Sequence, residues 1–192
     1  MVTTTISGVR QGSRAVAPGR PVPAPTSRSE WLRIGRALIS EMRQQYAIPE
    51  KLQTIAVGWT DVPGLTAHRF IGASREIRAV TVLPSPSMHV VTPRTNQQFQ
   101  DHAEQDVVNG FIDAVAQLGV DLSRDDGPNL WIFVSQDVCS ACRQGEAGSH
   151  VLPGVLMQLS LRHANLMVSV GWENLAGEFG HLAFLAGERI RT

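Results

Sequence analysis

Leu130-Trp131-Ile132-Phe133-Val134 is an unbroken apolar run of strand length. A strand that is apolar on both faces has to be covered on both, so this one belongs at the centre of a sheet with layers on either side. The rest of the chain supplies such layers. Ser27-Arg28-Ser29-Glu30 reads as a capping box, with Ser27 as N-cap and Glu30 reaching back. Trp31, Ile34, Leu38 and Met42 then recur at helical spacing, and the helix should end before Pro49. Thr54 to Trp59 reads as a strand. The turn residues Asp61-Val62-Pro63-Gly64 lead into a second strand from Leu65 to Ile71, which Gly72-Ala73-Ser74 should break. Pro84, Pro86 and Pro93 predict irregular or edge structure over Val80 to Arg94. Val107, Val108, Phe111, Ile112, Val115 and Leu118 mark a helix beginning near Asp101 or His102. Asp125-Asp126-Gly127-Pro128 is a loop before the apolar run. After the run come a short helix through Cys139 and Cys142, a break from Gly145 to Pro153, a helix over Gly154 to Arg162 and a strand over Leu166 to Val170. Leu182 to Ala186 fits a last helix or a last strand. The alternation of strands and helices predicts an α/β domain.

Hydrophobic residues make up 43% of the 192, enough for one packed domain with chain to spare. The spare chain is residues 1 to 26, where Pro18-Gly19-Arg20-Pro21-Val22-Pro23-Ala24-Pro25 excludes a helix or central strand and predicts a disordered linker. The folded domain is expected over 27–192. No stretch has the run of about 20 apolar residues that a membrane helix needs, and the first residues lack a basic-then-apolar leader. The formal net charge of +0 argues against a broadly basic nucleic-acid surface, although arginines outnumber acids in the first quarter. Cys139 and Cys142 are too close together to form a disulfide framework and point to metal or redox chemistry.

The chemistry-bearing residues fall in two groups. His102-Ala103-Glu104 opens a helix, and Cys139-Ser140-Ala141-Cys142 follows the buried strand. Cysteines three apart in a helical turn share a face, and His102 adds a nitrogen donor. Zinc takes such N and S ligands, and a catalytic zinc uses three of them. A single zinc ion held by His102, Cys139 and Cys142 is therefore expected. Glu104 would accept a proton from water made acidic by the metal and deliver it to a substrate ring nitrogen. A redox dithiol leaves His102-Ala103-Glu104 unexplained. A closed structural site needs a fourth ligand, for which His150 and His163 are the candidates.

These residues resemble the signature of the cytidine-deaminase superfamily, His-x-Glu followed by Pro-Cys-x-x-Cys. Val138 stands where that family has proline. The resemblance implies a cytidine-deaminase-like fold: a mixed central sheet of about five strands flanked by helices, with the zinc helices on one side. A finer likeness is to the deaminase domains of bacterial polymorphic toxins. It is carried by Asp61-Val62-Pro63-Gly64-Leu65, Phe70 to Ser74, Gly154 to Ser160 and Leu166 to Val170. It implies a zinc-dependent hydrolytic deaminase converting cytosine to uracil in nucleic acid, DNA above all, with the base single-stranded or flipped. It also implies a dedicated immunity protein as partner and a chain that acts in the cytoplasm or is delivered into target cells as an effector. Arg94 and Asn96, just before the histidine motif, and Ser135 and Gln136, between the strand and Cys139, are candidate substrate contacts. Two alternatives remain open. Cys142-Arg143-Gln144 and the neutral charge fit a deaminase of free cytidine, and the metal ligands alone fit a non-catalytic zinc module.

Overall fold

The computed structural model describes residues 20–50, 54–92, 102–123, 127–143 and 153–190. In chain order the elements are α1 (Arg28–Gln45), β1 (Ile55–Thr60), β2 (Phe70–Ala73), α2 (Arg75–Arg78), α3 (Ala103–Leu118), β3 (Asn129–Val134), α4 (Ser140–Arg143), α5 (Val155–Arg162), β4 (Met167–Glu173), β5 (Phe179–Leu185) and β6 (Glu188–Ile190). The strands form one open six-stranded sheet in the order β2-β1-β3-β4-β5-β6. It is mixed: β3 and β4 run parallel, and every other neighbouring pair is antiparallel.

The apolar run is central, and its alternation shows why both of its faces are apolar. Leu130, Ile132 and Val134 enter a core shared with Val107, Phe111, Leu156 and Leu159 of α3 and α5. Trp131 and Phe133 enter a second core shared with Trp31, Ile34, Leu38 and Met42 of α1. The period of two along β3 thus feeds two layers at once. Trp59 is fully buried in the second core, stacked 6.3 Å from Trp131.

Ser27 caps α1 by accepting from the Glu30 amide at 3.3 Å, but the Glu30 carboxylate turns to the Thr26 amide at 2.8 Å instead of to Ser27. Within the proline-rich head, residues 20 to 26 carry no helix or strand. They still touch the domain: Val22 packs on the second core, and the Pro23 carbonyl accepts from the Trp59 indole at 3.3 Å.

The second strand differs from the sequence expectation. Leu65 to Arg69 is not strand, because Leu65 and His68 close successive turns onto Val62 and Leu65 (2.9 and 2.8 Å), and Leu65 is fully buried beneath them. Gly72 and Ala73 lie inside β2 rather than breaking it. The Ala103 carbonyl at the start of α3 lies so close over Gly72 that a Cβ there would sit 1.8 Å from its oxygen. Glycine at 72 is what lets α3 lie down on the sheet. We predict that Gly72→Ala costs about 3 kcal/mol, since backbone cannot yield as a side-chain tip can. A urea midpoint equal to that of the parent would contradict this.

At the other end, Leu182 to Leu185 is strand, and the sheet gains β6, so six strands stand where about five were expected. Ala186 and Gly187, with φ of 51° and 80°, make the two-residue turn between β5 and β6. No helix among the described residues is long and apolar enough to cross a membrane.

Candidate metal centre

The site forms on the α3 face of the sheet, where α3 begins and β3 ends. His102 is the N-cap of α3, with extended backbone (φ −91°, ψ 136°) and no side-chain capping bond to the helix. After β3, Val138 is 1% exposed and packs into the core beside Cys142, so an apolar side chain fills the position where the resembled signature has proline. The Cys139 carbonyl accepts from the Cys142 and Arg143 amides at 3.2 and 3.1 Å, which starts α4 and brings both sulfurs to one side.

His102 Nδ1 lies 3.2 Å from Cys139 Sγ and 3.3 Å from Cys142 Sγ, and the three ligand atoms all lie within 4.8 Å of one another. Zinc bonds of about 2.0–2.3 Å at tetrahedral angles imply ligand–ligand edges of about 3.6–3.8 Å. The N–S edges are within a few tenths of an ångström of that, and one nitrogen with two sulfurs is a donor set that suits zinc. These three residues are close enough to coordinate a metal ion. Among the described residues the cluster has these three members. His163, a candidate fourth ligand, is instead the C-cap of α5, and His150 lies outside the described residues.

The electrostatics separate the two thiols. Cys139 is drawn down to about 4, first by the hydrogen bond from Cys142 and then, against the opposing effect of burial, by His102. Burial pushes Cys142 well up, and the neighbouring Cys139 adds to this. A metal-free centre therefore holds one thiolate and one thiol; a bound cation takes both as thiolates.

Glu104, in the first turn of α3, is 3% exposed. Burial raises its carboxyl to about 7, with the charge on Cys139 adding to the rise and His102 and the Cys142 thiol opposing it. A carboxyl balanced near neutrality can both take and give a proton at working pH. It also has a consequence for stability without metal. The folded value lies above the unfolded one, so the contribution of the protonated carboxyl is whole below about 4.5 and is lost as pH rises through about 7. Glu104→Gln should therefore stabilise the metal-free protein by about 3 kcal/mol at pH 8 and leave it unchanged at pH 4. Denaturant melts in chelator at the two pH values would show this, and an equal difference at both would contradict it.

One ion pair that sequence reading missed braces this end of α3. Asp106 accepts from Arg78 Nε at 2.9 Å and from the Ala73 amide at 3.4 Å, tying α2 and β2 to the turn after Glu104. In sequence the only trace is an acid immediately before the apolar stripe.

The four expected substrate contacts fare differently. Arg94 and Asn96 lie outside the described residues. Ser135 exchanges two bonds with Ile55, its amide donating to the Ile55 carbonyl and its hydroxyl accepting from the Ile55 amide, both at 3.0 Å. It also lines a cavity with Arg36, Ile39 and Phe133 on the α1 side of the sheet. The Gln136 side-chain Oε1 accepts from the Thr54 hydroxyl at 2.8 Å. Both residues join the end of β3 to the start of β1 and stand outside the ligand cluster. No protein-family model matches this chain, and no curated protein matches its sequence.

Proposed function

We propose that this chain is a zinc-dependent hydrolytic deaminase converting cytosine to uracil in nucleic acid, with DNA as the preferred polymer. The observation that carries the reading is the buried Glu104 carboxyl, two residues from a ligand of an N,S,S metal cluster. A mixed sheet with α3 and α4 on one side is what the sequence resemblance implies, and it supports the reading.

Bound there, zinc would supply Lewis acidity that brings the pKa of water near 7. His102, Cys139 and Cys142 would hold the metal, the two cysteines as thiolates. The Glu104 carboxylate accepts a proton from the attacking water and passes it to the ring nitrogen beside the amine-bearing carbon. The water oxygen bonds that carbon as the ring C=N double bond opens onto the protonated nitrogen, and Glu104 then relays the remaining hydroxyl proton to the amine, leaving the oxygen to become the carbonyl. The C–N bond then breaks and ammonia leaves. A base inside a duplex cannot reach such a site, so an unpaired or flipped base is the substrate. The resemblance to toxin domains adds an effector role and an immunity protein to the proposal.

Free cytidine is the second reading, favoured by the net charge of +0, which offers a polymer no broad basic surface. Turnover of a single-stranded oligodeoxynucleotide against turnover of free cytidine decides between them. The polymer reading expects the oligonucleotide to win, and turnover of cytidine alone would replace it. A zinc-loaded chain inert on both would leave the non-catalytic module.

A further inference from the structure

Residues 87 to 92 carry no helix or strand, yet side chains hold their backbone in register. Three positions four apart on α3 form a ladder. Asp113 accepts from the Ser87 amide and from His89 Nε2, both at 2.7 Å. Asn109 Oδ1 accepts from the His89 and Val90 amides at 3.0 and 2.8 Å, and its Nδ2 donates to the Val90 carbonyl at 3.3 Å. Gln105 accepts from the Thr92 amide at 2.9 Å. Asn109 and Gln105 are 3% and 6% exposed, a placement that polar side chains take only when bonded.

The α5 residue Gln158 continues this pattern from the opposite side. Its amide nitrogen donates to the Val91 carbonyl at 2.7 Å and to the Pro153 carbonyl at 2.8 Å, and its oxygen accepts from the Val91 amide at 3.4 Å. Val91 lies on the segment that leads toward His102, and Pro153 on the segment that follows Cys142. One side chain thus bridges the two stretches of chain that flank the ligands. Its helix packs Leu156 and Leu159 into the same core as Cys142 and Val138.

We propose that Gln158 is a positioning residue of the metal centre. By joining Val91 to Pro153 it keeps the histidine-bearing and cysteine-bearing parts of the chain from separating, and so slows release of the metal. The inference rests on the metal-centre reading and not on the identity of the substrate. Metal leaves when ligand-bearing segments open locally, so bonds between those segments act on the release rate.

The test uses the full chain loaded with zinc and a chromophoric chelator in excess. Gln158→Met keeps the length and removes the donors; Gln158→Lys restores donors that reach both carbonyls. Gln158→Met should still bind one zinc but release it about tenfold faster, chiefly from the loss of the two short bonds to the Val91 and Pro153 carbonyls, while Gln158→Lys stays within about twofold of the parent. A Gln158→Met release rate equal to the parent's would overturn the proposal, whatever the variant's melting temperature. Acceleration by both variants alike would overturn it too. A parent chain that releases zinc as expected but deaminates nothing would sink the proposed activity and leave this inference standing.

Discussion

Glu104→Gln should lose about 10²–10⁴-fold in turnover while still binding one zinc per chain, the range expected when a general acid–base is removed. Glutamine matches the carboxyl in size and can keep a hydrogen bond to the Cys142 thiol, so the ligand cluster has no reason to move. What it lacks is a group that ionises near neutrality and so can take and return a proton. Glu104 is 3% exposed, and among the described residues the next acid on α3, Asp106, is committed to Arg78. The loss should therefore appear in kcat, with substrate affinity little changed, because the proton moves only as the bond to oxygen forms. Stopped-flow or discontinuous assays with zinc content measured on the same samples would establish it. A Glu104→Gln protein within tenfold of the parent would remove Glu104 from the chemistry.

Cys139→Ser should abolish activity by another route. A serine hydroxyl is not ionised near neutrality and is a poor zinc ligand, whereas Cys139 is held at about 4 in the metal-free centre. Disturbing a group that merely orients a ligand costs about 10–100-fold in metal affinity, so losing a ligand should cost more than about 100-fold. A ligand present at about 1,000 times its Kd stabilises a fold by about 4 kcal/mol, equivalent to about 10 °C in a domain of this size. The parent should therefore melt about 10 °C lower after chelation, and Cys139→Ser should melt near that lower temperature with or without added zinc. Serine is close to cysteine in volume and Cys139 is only partly buried, so packing loss contributes little. Equal melting of parent and variant in zinc would contradict a role for Cys139 as a ligand.

The parts of this molecule that were legible in sequence are those that burial writes as a period. The run Leu130 to Val134 announced a strand covered on both faces, and its residues divide between two cores. The stripe from Val107 to Val115 announced α3, and the two motifs around it announced the cluster of His102, Cys139 and Cys142. Where geometry depends on one close contact, the sequence reading went astray. Gly72 looks like a breaker, yet it is a strand residue kept small by the Ala103 carbonyl. Leu65 looks like a strand residue, yet it is the buried foot of a turn. Glu188 and Arg189 of β6 are exposed and charged, and nothing in their pattern marks a strand. The bonds of Gln105, Asn109 and Gln158 run from side chain to irregular backbone, an arrangement that leaves no periodic signature. Ser135 and Gln136 are expected near a substrate from their nearness to Cys139; in the fold they follow the end of β3 and bond to the start of β1, and Ser135 lines a cavity on the α1 side.

The most direct test is to incubate the zinc-loaded chain and its Glu104→Gln variant with a labelled single-stranded DNA holding one cytosine, with duplex DNA, RNA and free cytidine in parallel, and to measure uracil and ammonia together. Equimolar uracil and ammonia from the single strand, produced by the parent and not by the variant, is the predicted result. A fully zinc-loaded parent that yields neither product from any of the four substrates would contradict a deaminase.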